Sequence, residues 1–285
     1  MFATLLLLTG LAGASSLKLV EDGGDATVKA SWEDAKGKDH TIRASVSREH
    51  LAAARANPLV FDLDPIYAET GRAIRAWAKE KGHKVKVTTN RKGIRITARN
   101  RKVLEAAAKV RDEALQDAIT RHRLRLMENG GLTADHPAIA RDAADDVADL
   151  ARAIAGDNRD PRAFADAAIS FVQSIPYKAG GAKGVKLPLR VLDLGSGDCD
   201  SKSTLFLALM RAQHPEVRSA MVYVKGHAFV ALGLEPERGD HTVKENGATW
   251  VLAEPVGPRI EDVGWASFRS RWKFRWNGEL VEVPS

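Results

Sequence analysis

Gly195-Ser196-Gly197-Asp198-Cys199-Asp200 opens a segment, Cys199 to Ala212, in which Leu205, Phe206, Leu207, Leu209 and Met210 are nearly consecutive. That density of apolar residues predicts a helix buried on most of its faces. The glycines allow the chain to approach the helix tightly, and Asp198 is a good N-cap. Cys199 then sits in the first turn. Unpaired N–H groups and the positive end of the helix dipole favour a thiolate there. The same N–H groups can receive the oxyanion of a tetrahedral intermediate. Asp198 and Asp200 oppose the thiolate, so a base is required. Cys199 is the only cysteine of the chain, so no internal disulfide can form. A lone thiol is a packed hydrophobe, an intermolecular bridge or a reactive group. A packed cysteine would lie among the leucines that follow, and the cap position points to a nucleophile.

Working outward, Ala220–Val224, His227–Leu232 and Thr249–Glu254 read as strands by alternation and β-branched content. Their short gaps suit an antiparallel sheet. Gly226-His227-Ala228-Phe229-Val230 puts a histidine at the mouth of a strand, on one face with Phe229 and Ala231. This strand follows the cysteine helix and can pack on it, so His227 can take the thiol proton and return it to a leaving amine. No other histidine has a comparable setting. Trp250-Val251-Leu252-Ala253-Glu254-Pro255 ends a strand with a carboxylate. On a neighbouring strand, Glu254 can hold the imidazole tautomer and stabilise the imidazolium. Taken alone, it is equally readable as a solvated strand-end acid.

Phe171-Val172-Gln173-Ser174-Ile175-Pro176-Tyr177, Gly197-Asp198-Cys199, Gly226-His227-Ala228 and Ala253-Glu254-Pro255 together resemble bacterial transglutaminase-like domains. The resemblance covers roughly residues 135–265, and the Gly-Asp-Cys and Gly-His-Ala pair is its specific part. It implies an α+β, papain-related core in which a cysteine-bearing helix packs on an antiparallel sheet. It also implies Cys199 as nucleophile, His227 as base and Glu254 as orienting acid. The superfamily's third member is commonly Asp, so Glu254 is a departure. The family includes proteases, amidases, cross-linkers and inactive binding members.

Val191-Leu192-Asp193-Leu194-Gly195-Ser196-Gly197 is also similar to the first motif of S-adenosylmethionine-dependent methyltransferases, in which a strand leads into a glycine-rich turn. Cys199 occupies the third glycine position. The next strand ends in Lys225 rather than an acid for the ribose, and too little chain remains for further strand–helix pairs.

The first half reads as a small α+β region without a chemical constellation. Lys18–Val20, Thr27–Trp32 and Thr41–Val46 suggest short antiparallel strands. Pro65–Lys81 reads as a helix stopped by Gly82. Val85–Thr89 and Ile94–Ala98 flank a hairpin turn, and Val103–Met127 reads as one long charged helix. Beyond Gly130-Gly131, Pro137–Ala155 and Pro161–Ile175 read as helices. The expected division is therefore residues 1–14, 15–130 and 131–285.

Residues 1–14 carry an apolar stretch, Leu5–Leu8, followed by Ala12-Gly13-Ala14. This pattern reads as a secretory signal peptide cut after Ala14, with the mature chain periplasmic or secreted. No stretch is long enough to span a bilayer. The net charge is +6, but Lys and Arg are interleaved with Asp and Glu along the chain as a whole. A solvated basic surface is expected rather than a nucleic-acid site. No metal-ligand or calcium-loop spacing is present, and no cofactor is expected. The sequence thus predicts an exported thiol enzyme acting on an amide or peptide bond of a protein or peptide substrate, with hydrolysis ahead of transfer. The alternative is a non-catalytic periplasmic binding or assembly module on the same fold. Oligomeric state is left open.

Overall fold

The computed structural model describes residues 15–21, 24–180, 184–245, 247–257 and 259–285. The expected signal peptide, residues 1–14, lies outside the described residues. The chain opens with β1 (Ser16–Glu21), β2 (Ala26–Glu33) and β3 (Asp39–Val46), an antiparallel sheet in that order. Strict alternation along β2 turns Ala26, Val28, Ala30 and Trp32 inward. Helix α1 (Arg48–Ala56), which the sequence reading did not anticipate, follows with Ser47 as its N-cap.

Strand β4 (Leu59–Val60) leads to α2 (Leu63–Glu80), the hairpin of β5 (Val85–Asn90) and β6 (Gly93–Ala98), and α3 (Arg101–Arg121). The helix expected over Val103–Met127 ends early. Arg123 takes φ 56, the left-handed region that a helix cannot continue through. The chain turns there into β7 (Leu124–Leu126), paired with β8 (Leu132–Ala134). The turn lets Leu124 bury against Ile66, Ala118 and Ile119, which outweighs continuing a charged helix into solvent.

The helix expected over Pro137–Ala155 is also divided. It becomes α4 (His136–Asp142), a 3₁₀ turn (Asp145–Val147) and α5 (Ala148–Ala155). The tight turn changes direction so that both helices reach α8, and Val147 is fully buried between them. Next come α6 (Pro161–Ser174), β9 (Gly184–Val185), α7 (Pro188–Leu194) and α8 (Cys199–Gln213). Leu205 to Met210 are fully buried without exception, as their composition required. At about 1.5–3 kcal/mol for each large apolar side chain, this run is a main anchor of the core.

The remaining strands are β10 (Ser219–Val224), β11 (His227–Leu232), β12 (Thr242–Glu245) and β13 (Ala248–Ala253). Helix α9 (Phe268–Asn277) and β14 (Glu279–Glu282) complete the chain. They form a five-stranded antiparallel sheet in the order β12-β13-β11-β10-β14. Alternation splits the sheet's side chains between two cores. Met221, Ala228, Val230, Leu232, Val251 and Ala253 face α8. Val222, Phe229, Ala231, Trp250 and Leu252 form the second cluster, with Phe274 of α9 packed against it. Strands β2 and β3 and α1 share the α8 core, where Trp32 packs edge-on against Phe171 of α6 and donates its indole N–H to Ser170. The architecture is α+β, with a cysteine-bearing helix on an antiparallel sheet, as expected.

Candidate active site

Cys199 is the first residue of α8 and is half-buried. Helix α7 ends at Gly195, whose left-handed φ of 56 reverses the chain. Ser196 to Asp198 then lead directly into α8. Val191–Leu194 is therefore helical, not the strand that a methyltransferase turn requires. Gly197 is needed for a steric reason: a Cβ there would meet Lys202 Cγ at 2.9 Å and Val191 Cγ1 at 3.4 Å. Its N–H donates to Pro176 C=O (3.2 Å), and its C=O accepts from Lys178 N (2.9 Å). These bonds lay Tyr177 alongside the cysteine loop.

The two acidic neighbours are kept occupied. Asp198 caps α8 by accepting from Ser201 N (3.3 Å) and also accepts from Gly180 N (2.9 Å). Burial, with Asp200 nearby, pushes its carboxyl above the ordinary range. Asp200 Oδ2 lies 3.4 Å from Nε2 of the fully buried His136. Burial acts to raise the Asp200 carboxyl, but the nearby His136 prevails and holds it well down. Asp200 thus faces a buried histidine behind the helix. His136 had no role in the sequence reading, because its 64-residue separation from Asp200 is closed only by α4 packing on α8.

His227 opens β11 after the two-residue turn Lys225-Gly226, where Gly226 takes φ 73. By parity His227 belongs to the face of Phe229, not to the face under α8. As first residue of the strand, it stands at the sheet's end, where its ring hydrogen-bonds Glu254 and lies near enough to Cys199 for the thiol to raise its pKa. Nε2 meets Glu254 Oε1 at 2.6 Å, which leaves Nδ1 for the thiol. The ring stacks on Phe229 at 5.9 Å. Register explains the Glu254 contact. Val230 pairs with Ala253, so Glu254 falls opposite Phe229 and diagonal to His227 on one face.

Burial pulls the His227 ring toward the neutral form. The nearby Cys199 thiol and the bond and charge of Glu254 outweigh this and hold the imidazolium up to about 9. Glu254 is buried, which would raise its carboxyl, but His227 and the Ser267 N–H bring it below the ordinary value. Glu254 accepts from Ser267 N at Oε2 (2.8 Å) and from Ser270 Oγ at Oε1 (3.1 Å). Its backbone carbonyl accepts from Gln173 Nε2 (3.0 Å). Ser267 is the N-cap of α9, so the start of that helix braces the acid. The sequence reading missed Ser267 and Ser270. A Ser three residues before a second Ser is a common cap pattern, and nothing local tied it to residue 254.

Lys202, one turn after Cys199, is fully buried without a carboxylate partner among the described residues. Its ammonium donates to Ile175 C=O (2.7 Å) and Gln173 C=O (3.3 Å), and burial brings its pKa down to about 8. A cleft of ≈ 600 Å³ is walled by Gln173, Ile175, Tyr177, Lys202, Gly257 and Ile260. Tyr177 is 55% exposed; burial, then the charges of Cys199, Asp198 and Asp200, raise its phenol, so it stands between cleft and thiol. Among the described residues, no cluster of three His, Cys, Asp or Glu side chains is placed to hold a metal ion.

Residues 148–267 match the family described as the transglutaminase-like superfamily. The chain therefore carries a transglutaminase-like domain, which spans α5 through the cap of α9. Comparison with curated proteins and with solved structures gave no match.

Proposed function

We propose that this protein is a cysteine-nucleophile amide hydrolase of the transglutaminase-like class, with Cys199 as nucleophile, His227 as acid–base and Glu254 as orienting carboxylate. The observation that carries the reading is the single imidazole that hydrogen-bonds a buried, braced carboxylate and lies beside the helix-terminal thiol. The Cys199 proton passes to His227 first, and the sulfur then attacks the amide carbon beside the imidazolium. The carbonyl π electrons move to oxygen, where the Cys199 N–H, the first of α8, has no intrahelical acceptor and can donate. The C–N bond then breaks as the imidazolium gives its proton to the departing amine, leaving a thioester. Water, deprotonated by His227, attacks the thioester. The carboxylic acid leaves and the thiol is restored. Glu254 keeps the imidazolium charged and correctly turned throughout.

The substrate is an amide or peptide bond of a protein or peptide, with the Tyr177-walled cleft as the place for its chain. Water is the default acceptor, since nothing specifies an amine site. Export, with Ser15 as the first residue of the mature chain, is part of the same proposal and is tested by N-terminal sequencing.

The deciding experiment is labelling with a thiol-directed, amide-mimicking probe, followed by peptide mapping. Wild-type protein is expected to be labelled at Cys199. His227→Ala should reduce labelling to near the Cys199→Ala floor, and the double variant should cost little more, because the pair acts in one step. Labelling that is unaffected by His227→Ala overturns the proposal and leaves a binding module on the same fold.

A further inference from the structure

Helix α9 begins one residue after the family match ends, and its outer face has no role in the chemistry above. Phe268, Trp272 and Trp276 recur every fourth residue, so they form one row on the helix. They are 75%, 53% and 75% exposed. Arg269 and Arg275 are exposed beside them. Helix α9 carries Arg269, Arg271, Lys273 and Arg275 and no acid. Among the described residues none of these four pairs with a carboxylate; Lys273 bonds only the Lys225 carbonyl. Three exposed aromatic rings with unneutralised cations on ten residues call for a partner that is both apolar and anionic.

We propose that α9 docks the protein on an anionic phospholipid surface, with Phe268, Trp272 and Trp276 entering the interface and Arg269 and Arg275 meeting headgroup phosphates. Ring geometry and exposure select this occupant. A sugar chain needs a flat platform, yet Trp272 and Trp276 are inclined at 51° with centroids 5.9 Å apart. A protein partner buries its anchors in pockets, whereas these rings project outward as a bilayer interface accepts them. The helix is about 15 Å long and lies on the surface rather than crossing it. Among the described residues no helix is long and apolar enough to cross a membrane. Because Ser267 and Ser270 of α9 hold Glu254, docking fixes the triad at the membrane surface. The proposal does not depend on the catalytic reading.

The test is co-sedimentation of the purified chain with phosphatidylcholine vesicles, with and without phosphatidylglycerol. Binding to the phosphatidylglycerol vesicles alone, weakened by salt, is expected. Trp272→Ala/Trp276→Ala should lower partitioning by about tenfold or more per ring. Arg269→Gln/Arg275→Gln should lower it by roughly fivefold per cation. The rate of Cys199 alkylation should be the same in the tryptophan variant as in wild type, showing that the fold is intact. Failure to bind either vesicle, or equal binding by the tryptophan variant, overturns the proposal. So does binding to glycan sacculi or a single-stranded oligonucleotide through these tryptophans in place of vesicles.

Discussion

Replacing Glu254 by Gln removes a charge but little volume, and its largest expected effect is on a different residue. Glu254 supplies a 2.6 Å hydrogen bond and a negative charge to His227, whose burial alone would favour the neutral ring. An adjacent opposite charge moves a pKa by roughly 1–3 units. The His227 value of about 9 should therefore fall to about 7 in Glu254→Gln. At pH 8 the imidazolium fraction would drop from about nine-tenths to about one-tenth. In the proposed mechanism the acid that protonates the leaving amine is then lost in proportion, and the alkaline limb of the pH–rate profile should move down with it. Stability should follow by linkage. A histidine raised above its ordinary 6.5 stabilises the fold fully below that pH, by about 3 kcal/mol, and the contribution disappears as pH rises to about 9. In Glu254→Gln this window should shrink to about pH 6.5–7. The lowered Glu254 carboxyl describes the same ion pair, so the two shifts are not added. The assay is an NMR titration of the His227 ring in both proteins, with denaturant unfolding across pH. An unchanged His227 titration in the variant would refute the reasoning.

Ser270→Ala removes the 3.1 Å hydroxyl bond to Glu254 while the Ser267 N–H remains; probe labelling of Cys199 should slow by about fivefold, and an unchanged rate would deny Ser270 a positioning role. Lys202→Met removes a buried ammonium lowered to about 8, together with the donors to Ile175 and Gln173. Wild-type stability should rise between pH 8 and about 10.4, because there the unfolded chain binds the extra proton. The variant should lack that rise, and equal slopes in urea unfolding would show the ammonium is not desolvated. Gly197→Ala forces a Cβ to 2.9 Å from Lys202 Cγ; a loss of about 1–3 kcal/mol should appear as a lower Tm, and an unchanged Tm would contradict this packing.

The sequence by itself carried the elements whose pattern is strong and local. The leucine-rich run after Cys199 could only be a buried helix, and Asp198 marked its start. Alternation exposed β2, β11 and β13, and the antiparallel sheet followed from their short connections. Cys199, His227 and Glu254 could be proposed from the sequence because a helix terminus and two strand ends present their side chains predictably. Tertiary packing decided the rest. Helix α3 stops at Arg121 because burying Leu124 gains more than another helical turn, a comparison that depends on α2. Residues 137–155 bend because two helices must both reach α8. Val191–Leu194 has the composition of a strand and is a helix, since Gly195 must turn the chain directly into Asp198. Ser267, Ser270, Gln173 and His136 reach the site from residues distant in sequence, through single hydrogen bonds or contacts that leave no periodic trace. The aromatic row of α9 was readable as letters, but its exposure was not. The same spacing buries a helix face when a partner element covers it, and only the fold shows that none of the described elements does.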